Sequence, residues 1–441
     1  MDRPNIVVVI THDSGKQFGC YGAGVETPNI DRLGQQGVCF SNTFCTAPQS
    51  SPARAGIWTG RYPHRHGLIG LAHLGFQLRP DVPTVQQLLA DAGYHTLLFG
   101  FQHEVPDTEV ERMGYREHVR GKTNSIFHVM PHVRRFLSGR PDQPFFACIG
   151  VSETHRPYPG RWASDDPRNV VVPDWLPNVE VVRKDLADLH GMVRGVDQAV
   201  GEIDHLLGEA RLTPNTWLIY TTDHGIAFPR AKATLRDAGL EAALVGRGPG
   251  NYPSGAVIDR LTSTMDLAPT LLELAGVNPP DDLDGDSLLP LMADPSAPWR
   301  DHLFAEQTFH AAYDPVRAVR TERWKYIRSF ADRPMMFLPN VDDSPTKTLL
   351  MGRGEHLEER PTELLYDLRT DPSEKRNLAD DPDRRDVLED LRGRVERWME
   401  ETGDPLAPDG TVEPPPGARV TPAGATRPLE EDAPDDWRVN R

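Results

Sequence analysis

Residues 4–13 read Pro4-Asn-Ile-Val-Val-Val-Ile-Thr-His-Asp13, a β-branched apolar run that breaks abruptly into polar residues. A run apolar at every position, rather than at alternate ones, marks a strand covered on both faces, as in parallel sheets. Ligands of such sheets gather at the carboxyl ends of the strands, which makes His12 and Asp13 candidate site residues. The pattern recurs. Residues 95–99 form a strand leading into Gly100–Glu104, and residues 145–151 form one ending in Ser152-Glu153-Thr154-His155-Arg156. Residues 216–220 form another, which delivers Thr222-Asp223-His224-Gly225. Helical patterns lie between these strands. One runs from Thr27-Pro28 to about Gln36, and one covers residues 81–92 with Pro83, Val85, Leu88 and Leu89 on one face. A third covers 186–207, with Leu189, Val193, Val196, Val200, Ile203 and Leu207 along one stripe. Strand–helix–strand alternation predicts an α/β fold, a doubly wound, mostly parallel sheet flanked by helices.

A chain of 441 residues suggests one large and one small domain. The pattern changes near Pro298, so residues 1–300 are expected to form the catalytic domain and 301–402 a smaller α+β subdomain. There, 318–330 reads as a two-strand hairpin, 364–368 as a further strand and 382–402 as a closing helix. Residues 403–441 are rich in proline and acidic residues, and are expected to wrap the surface or stay partly disordered. The formal net charge of −17 argues against a nucleic-acid partner, because phosphate binding needs a basic face. No apolar run is long enough to span a membrane, and residues 5–10 are too short for a signal peptide. Four cysteines (Cys20, Cys39, Cys45, Cys148) make no disulfide framework, so a cytoplasmic location is expected.

Residues 47–61, APQSSPARAGIWTGR, carry the chemistry. Pro52 suits the first position of a helix, where its missing N–H would be unpaired in any case. Ser50 then sits where backbone N–H groups and the helix dipole converge, a natural anion site. Arg54, one turn on, returns to the same face. Taken alone, these residues also fit a polar turn that caps a helix.

Ala47-Pro48-x-Ser50-x-Pro52-x-Arg54, followed by Thr59-Gly60-Arg61, resembles the signature of the type I sulfatases in the alkaline phosphatase superfamily. The likeness runs from Pro4 to about Pro405 and leans toward the sulfamidase (heparan N-sulfatase) branch. It includes Gln143-Pro-Phe-Phe, the segment LLYDLRTDPSEKRNLADDP and Trp398-x-x-Glu-Thr-x-Asp-Pro. The resemblance implies that Ser50 is the nucleophile or the precursor of formylglycine, whose hydrated aldehyde attacks the substrate. A formylglycine maturase is then a partner. The aerobic maturase acts on cysteine, whereas serine needs the radical type. Asp13 and Asp223 match metal ligands of the family directly; His12 and His224 stand where it usually has aspartate and asparagine. Two imidazoles with two carboxylates favour manganese, zinc or iron as the divalent ion, with calcium the alternative.

Further residues are carried over in the same way. His103 matches the histidine of Gly-Lys-x-His, although Phe101 replaces the lysine. His155 matches a proton donor to the leaving group, and Lys232 a lysine that binds sulfuryl oxygens. Together with Arg54 these form the expected catalytic set; His64 and His66 are candidates for the mouth of the pocket. Losing a carboxylate at position 12 and an ammonium at position 101 leaves the net charge unchanged, which favours a singly charged transferring group. The expected activity is metal-dependent cleavage of a sulfate ester or sulfamate on a saccharide or other small molecule. A phosphodiesterase or phosphonate monoester hydrolase using Ser50 is the alternative, and a non-catalytic binding protein on the same fold the third reading. Relatives are often dimers, so a homodimer is expected.

Overall fold

The strand Asn5–Thr11 is buried along its whole length and feeds two separate cores. Ile6, Val8 and Ile10 point to one face, with Ile57, Trp58 and Leu271; Val7 and Val9 point to the other, with Val193, Val196 and Val200. A strand so placed has no polar side, which is why the sequence shows no alternation. The computed structural model describes all residues except 1–2, 142–143, 159, 251, 407–409 and 430–441. Gln143 of the family resemblance and the end of the tail therefore lie outside the described residues.

Asn5–Thr11 sits inside an eight-stranded sheet. In spatial order the strands are Glu117–Val119, His95–Gly100, Phe145–Gly150, Asn5–Thr11, Thr216–Thr222, Leu244–Arg247, Val38–Phe40 and Ala256–Ile258. All pairs are parallel except the two made by Leu244–Arg247, which runs antiparallel to both neighbours. Helices Ser50–Thr59, Val85–Asp91 and Leu267–Leu274 cover one face; Pro28–Gln36, Ile126–Ser138 and Glu180–Glu209 cover the other. This is the doubly wound α/β fold that the strand–helix alternation predicts.

Two helix boundaries differ from expectation for local reasons. The helix expected over 81–92 is Val85–Asp91, because Thr84 caps it: Gln87 N–H donates to Thr84 Oγ1 (3.3 Å) and Thr84 N–H to Gln87 Oε1 (2.9 Å). The helix expected over 186–207 extends to Glu180–Glu209. Its outer turns are too polar to register as a stripe.

A second sheet, antiparallel throughout, orders His302–Phe309, Tyr313–Thr321, Trp324–Ser329 and Glu363–Asp367. Helix Arg385–Thr402 lays Leu388, Leu391, Val395, Trp398 and Met399 on one face, against Val319, Tyr326 and Leu365. The opposite face packs Ala305, Ala318, Ile327 and Leu364 against Phe44, Ala53 and Leu240 from the N-terminal part. The described part of the tail lies along the surface. Arg419 N–H donates to Leu74 O (2.7 Å) and Thr421 N–H to Ala311 O (2.8 Å). Among the described residues no helix is long and apolar enough to cross a membrane.

Candidate active site

Four adjacent parallel strands end at one level, because their registers align Gly100 with Gly150, Ile10 with Gly150, and Thr11 with Thr222. The next residues of each strand therefore converge: Phe101 and His103, His155, His12 and Asp13, Asp223 and His224. The turns are tight. A Cβ on Gly225 would lie 1.9 Å from Ala238 O, so glycine is required after His224. Asp13 adopts φ +45°, a left-handed conformation rare outside glycine. It is held there by its N–H to Asp223 Oδ1 (3.0 Å) and by Gly15 N–H to His224 O (2.9 Å). Such strain persists where the surroundings over-determine it.

Helix Ser50–Thr59 begins at Ser50 itself, which makes Pro52 its third residue rather than its first. The helix tolerates this because N–H groups of the first turn have no intrahelical partner. Ser50 is 3 % exposed. Its Oγ lies 3.1 Å from His224 Nε2 and 3.4 Å from His12 Nδ1. Arg54 turns to the metal-type ligands: Nε donates to Asp223 Oδ2 (3.1 Å) and Nη2 to Thr11 O (3.3 Å). Lys232 Nζ donates to Asp13 Oδ2 (3.0 Å) and pairs with Asp342 Oδ2 (3.2 Å). His155 Nε2 is 3.9 Å from Asp13 Oδ2, with Nδ1 bonded to Arg156 O at 2.5 Å. His103 lies behind, its Nε2 3.0 Å from His73 Nδ1 and its ring centroid 6.1 Å from that of His12. Every carried-over residue thus falls in one cluster.

His64 and His66 do not line it. His66 is fully buried and bonds Pro52 O (3.2 Å) through Nε2, while Nδ1 accepts Leu68 N–H (3.1 Å). His64 pairs with Glu306 at 2.8 Å, under Tyr62 and Trp398. The helix Pro63–His66 turns both rings away from the strand ends.

The donor set fits a cation. His12, Asp13 and Asp223 offer ligand atoms within 4.8 Å of one another. His224 Nε2 closes the set, 3.1 Å from Asp13 Oδ1 and 3.8 Å from Asp223 Oδ1. His224 Nδ1 must carry a proton, because it faces the acceptor Gly225 O at 2.9 Å. Nε2 then faces Asp13 Oδ1 at hydrogen-bond distance, so a proton or a metal ion lies between the two atoms. His12 Nε2 and Asp13 Oδ1 are buried and take no hydrogen bond among the described residues. Burial first, and then the Arg54 charge, push His12 down to about 3, so it is a neutral imidazole able to ligate. Burial alone would raise Asp223, but His224, Arg54 and His12 outweigh it and hold the carboxyl well below its usual range. All four acceptor positions of Asp223 are filled, by the N–H groups of Asp13 and His224, by Arg54 and by His12 Nδ1. His12, Asp13, Asp223 and His224 would hold a divalent ion, whose charge would stand in for the proton now shared between His12 Nδ1 and Asp223.

The sulfatase family profile matches residues 4–277, and the profile of the N-sulphoglucosamine sulphohydrolase C-terminal region matches residues 230–350. The chain belongs to the sulfatase family. It is 30 % identical to human N-sulphoglucosamine sulphohydrolase, covering 93 % of each chain. It is 28 % identical to an ulvan-active sulfatase of Formosa agariphila, covering 92 % of this chain and 82 % of the relative. The fold also matches the phosphonate monoester hydrolase of Agrobacterium radiobacter, with a TM-score of 0.71, 21 % identity and coverage of 91 % and 96 %.

In this sulfatase, sequence reading missed three polar neighbours: Asp342, His310 and His73. The first two belong to the C-terminal region, outside the motifs that carry the family resemblance. His310 is 3 % exposed and held down to about 3 by burial, with Lys232 adding to it. Asp342 is held low, because Lys232 and His155 outweigh the effect of burial. Neither sits in a motif, and no local pattern could have revealed them.

Proposed function

We propose that the enzyme hydrolyses a sulfate ester or an N-sulfo group on a saccharide or similar small molecule. Ser50 is the nucleophile or formylglycine precursor in this reading, and one divalent ion is held by His12, Asp13, Asp223 and His224. The observation that carries it is the position of Ser50 Oγ, within 3.4 Å of both histidines, with Arg54 and Lys232 anchored on the two aspartates. The histidines favour manganese, zinc or iron over calcium. When bound, the ion lowers the cost of ionising the nucleophile and offsets charge on the sulfuryl oxygens.

The chain's own groups do the rest. The ammonium of Lys232 faces the sulfuryl oxygens and stabilises the charge that grows there. Arg54 fixes Asp223 and adds positive potential beside Ser50. With Nδ1 tied to Arg156 O, His155 has Nε2 for delivering a proton to the departing oxygen or nitrogen as its bond to sulfur breaks. His103, backed by His73, is the base that frees sulfate from the Ser50 side chain. A bare serine would be left as a sulfate ester, so oxidation to formylglycine by a serine-type maturase is part of the proposal.

Mass spectrometry of the peptide ending at Arg54 tests the oxidation, which removes two hydrogens from Ser50. Sulfate release from N- and O-sulfated glucosamines, with manganese, zinc or iron supplied, tests the activity. No release by protein whose Ser50 is shown to be oxidised would sink the proposal. The imidazole ligands favour a second reading, hydrolysis of phosphodiesters or phosphonate monoesters. That reading prevails if turnover of such substrates exceeds turnover of every sulfated one.

A further inference from the structure

Lys232 is shared between two carboxylates, and the second comes from an unexpected direction. Asp342 follows the short helix Leu338–Asn340 and precedes helix Pro345–Gly352, in the C-terminal part of the chain. It places Oδ2 3.2 Å from Lys232 Nζ, while Lys232 also donates to Asp13 Oδ2 at 3.0 Å. The Asp342 side chain is 12 % exposed against 5 % for Lys232, so the pair is largely shielded from solvent. Its loop is rigidly built. Asn340 Oδ1 accepts Ala312 N–H (2.8 Å), and the buried Lys347 Nζ lies among Val341 O (2.7 Å), Leu338 O (3.2 Å), Asp343 Oδ1 (3.0 Å) and Thr426 O (2.9 Å), with three N–H donors for these four acceptors.

The other charged and titratable groups acting on Asp342 are His155, His310 and Arg156. His310 is neutral, and the guanidinium of Arg156 is already committed to Asp185 at 2.8 Å. Apart from His155, whose proton leaves with the departing group, the fixed charges around a bound anion are therefore the carboxylates of Asp13, Asp223 and Asp342 against the cations of Arg54 and Lys232. A divalent ion leaves this set with one net positive charge. We propose that Asp342 is a specificity-determining residue, whose carboxylate makes the site select singly charged tetrahedral groups over doubly charged ones. This rests on the reading of the site given above. The added carboxylate repels a second negative charge on the ligand more than the first. It favours sulfate esters and N-sulfo groups and disfavours phosphate monoesters.

Sulfate and the sulfamate ion test this, because they are tetrahedral, of similar size, and differ by one charge. Calorimetry on manganese-loaded protein measures the affinity for each. The unaltered protein is expected to prefer sulfamate. Asp342→Asn shifts the preference toward sulfate by about tenfold, the scale set by one added charge interacting across a partly screened pocket. Asp342→Glu retains the original ratio. Asp342→Ser serves as a second neutral variant should the asparagine protein fail to fold. A sulfamate-to-sulfate ratio unchanged in the folded neutral variant overturns the assignment of Asp342. If the unaltered protein binds neither ion, the reading of the whole site falls and the assignment with it, an outcome distinct from an unchanged ratio.

Discussion

Replacing Asp223 by asparagine is close to isosteric, yet the structure predicts a large loss of stability without metal. Oδ1 accepts two main-chain N–H groups, from Asp13 (3.0 Å) and His224 (2.9 Å). Oδ2 accepts Arg54 Nε–H and faces His12 Nδ1, both at 3.1 Å. An amide has one acceptor and one NH2 group, so no orientation satisfies both pairs. With its oxygen on the main chain, its NH2 meets the guanidinium of Arg54, which has no acceptor to offer. Reversed, it strips both turns of their partner, including the strained turn at Asp13. His12 can change tautomer and recover one contact; Arg54 cannot. Arg54 is 1 % exposed and would keep Thr11 O alone, so the loss is that of one partner from a buried ion pair, about 3–5 kcal/mol. Urea unfolding of Asp223→Asn in chelator measures this without the separate loss of metal affinity. The pH dependence follows from the lowered acidity of Asp223. A carboxyl held below its unfolded value of about 3.9 gives stability that is complete above that pH and is lost as pH falls through the folded value. The difference from the unaltered protein should be flat from pH 5 to 8 and shrink in acid. A metal-free difference below about 1 kcal/mol at pH 7 would refute the reasoning, because a single neutral hydrogen bond would account for it.

Made in a host with only the aerobic, cysteine-type maturase, Ser50→Cys should carry formylglycine and release sulfate while the unaltered protein does neither; mass spectrometry and turnover of one preparation decide it. Elemental analysis should find manganese, zinc or iron, and these ions should restore a chelator-lowered unfolding midpoint better than calcium; calcium as the main metal would contradict the imidazole ligands. Burial opposes protonation of His64, but Glu306 outweighs it and raises His64 above its usual value. Stability from this pair is therefore complete below about pH 6.5 and lost as pH rises through the raised value, so Glu306→Gln should flatten the fall in urea midpoint above pH 7. Phe101→Lys alone should weaken metal binding several-fold, and adding His12→Asp should recover much of it, read by titration with the ion.

Most of the site was legible because catalytic loops follow buried strands, and buried strands announce themselves. The run from Asn5 to Ile10 had no polar face, so it had to lie between two layers; its neighbours in the sheet share that property, and their next residues are the site. Other features left no such trace. The strand His302–Phe309 carries Glu306, Gln307 and Thr308 in a buried position, where Arg317, Asp314 and His64 pair with them. Polar residues whose partners lie on another strand or, like His64, far along the chain look like a loop when read locally. Asp342 is hidden for the same reason: its meaning lies in a lysine 110 residues away.

Two of the departures from the family pattern, at positions 12 and 101, are in contact. The Phe101 ring lies 4.4 Å from the His12 ring, inclined at 61°, and Arg54 Cζ is 5.5 Å from the centre of the same phenyl. A lysine at 101 beside an aspartate at 12 forms a buried pair in which each charge needs the other. With a neutral imidazole at 12, that lysine would be an uncompensated cation next to both Arg54 and a metal ion, which buried sites do not tolerate. A phenyl edge packed on the imidazole removes the charge, excludes water and holds the ring where Nδ1 faces Asp223 and Ser50. The two substitutions therefore act as one exchange of an ion pair for an aromatic pair. This exchange alters the ligand chemistry that the site offers to a divalent ion and leaves the net charge there where it was.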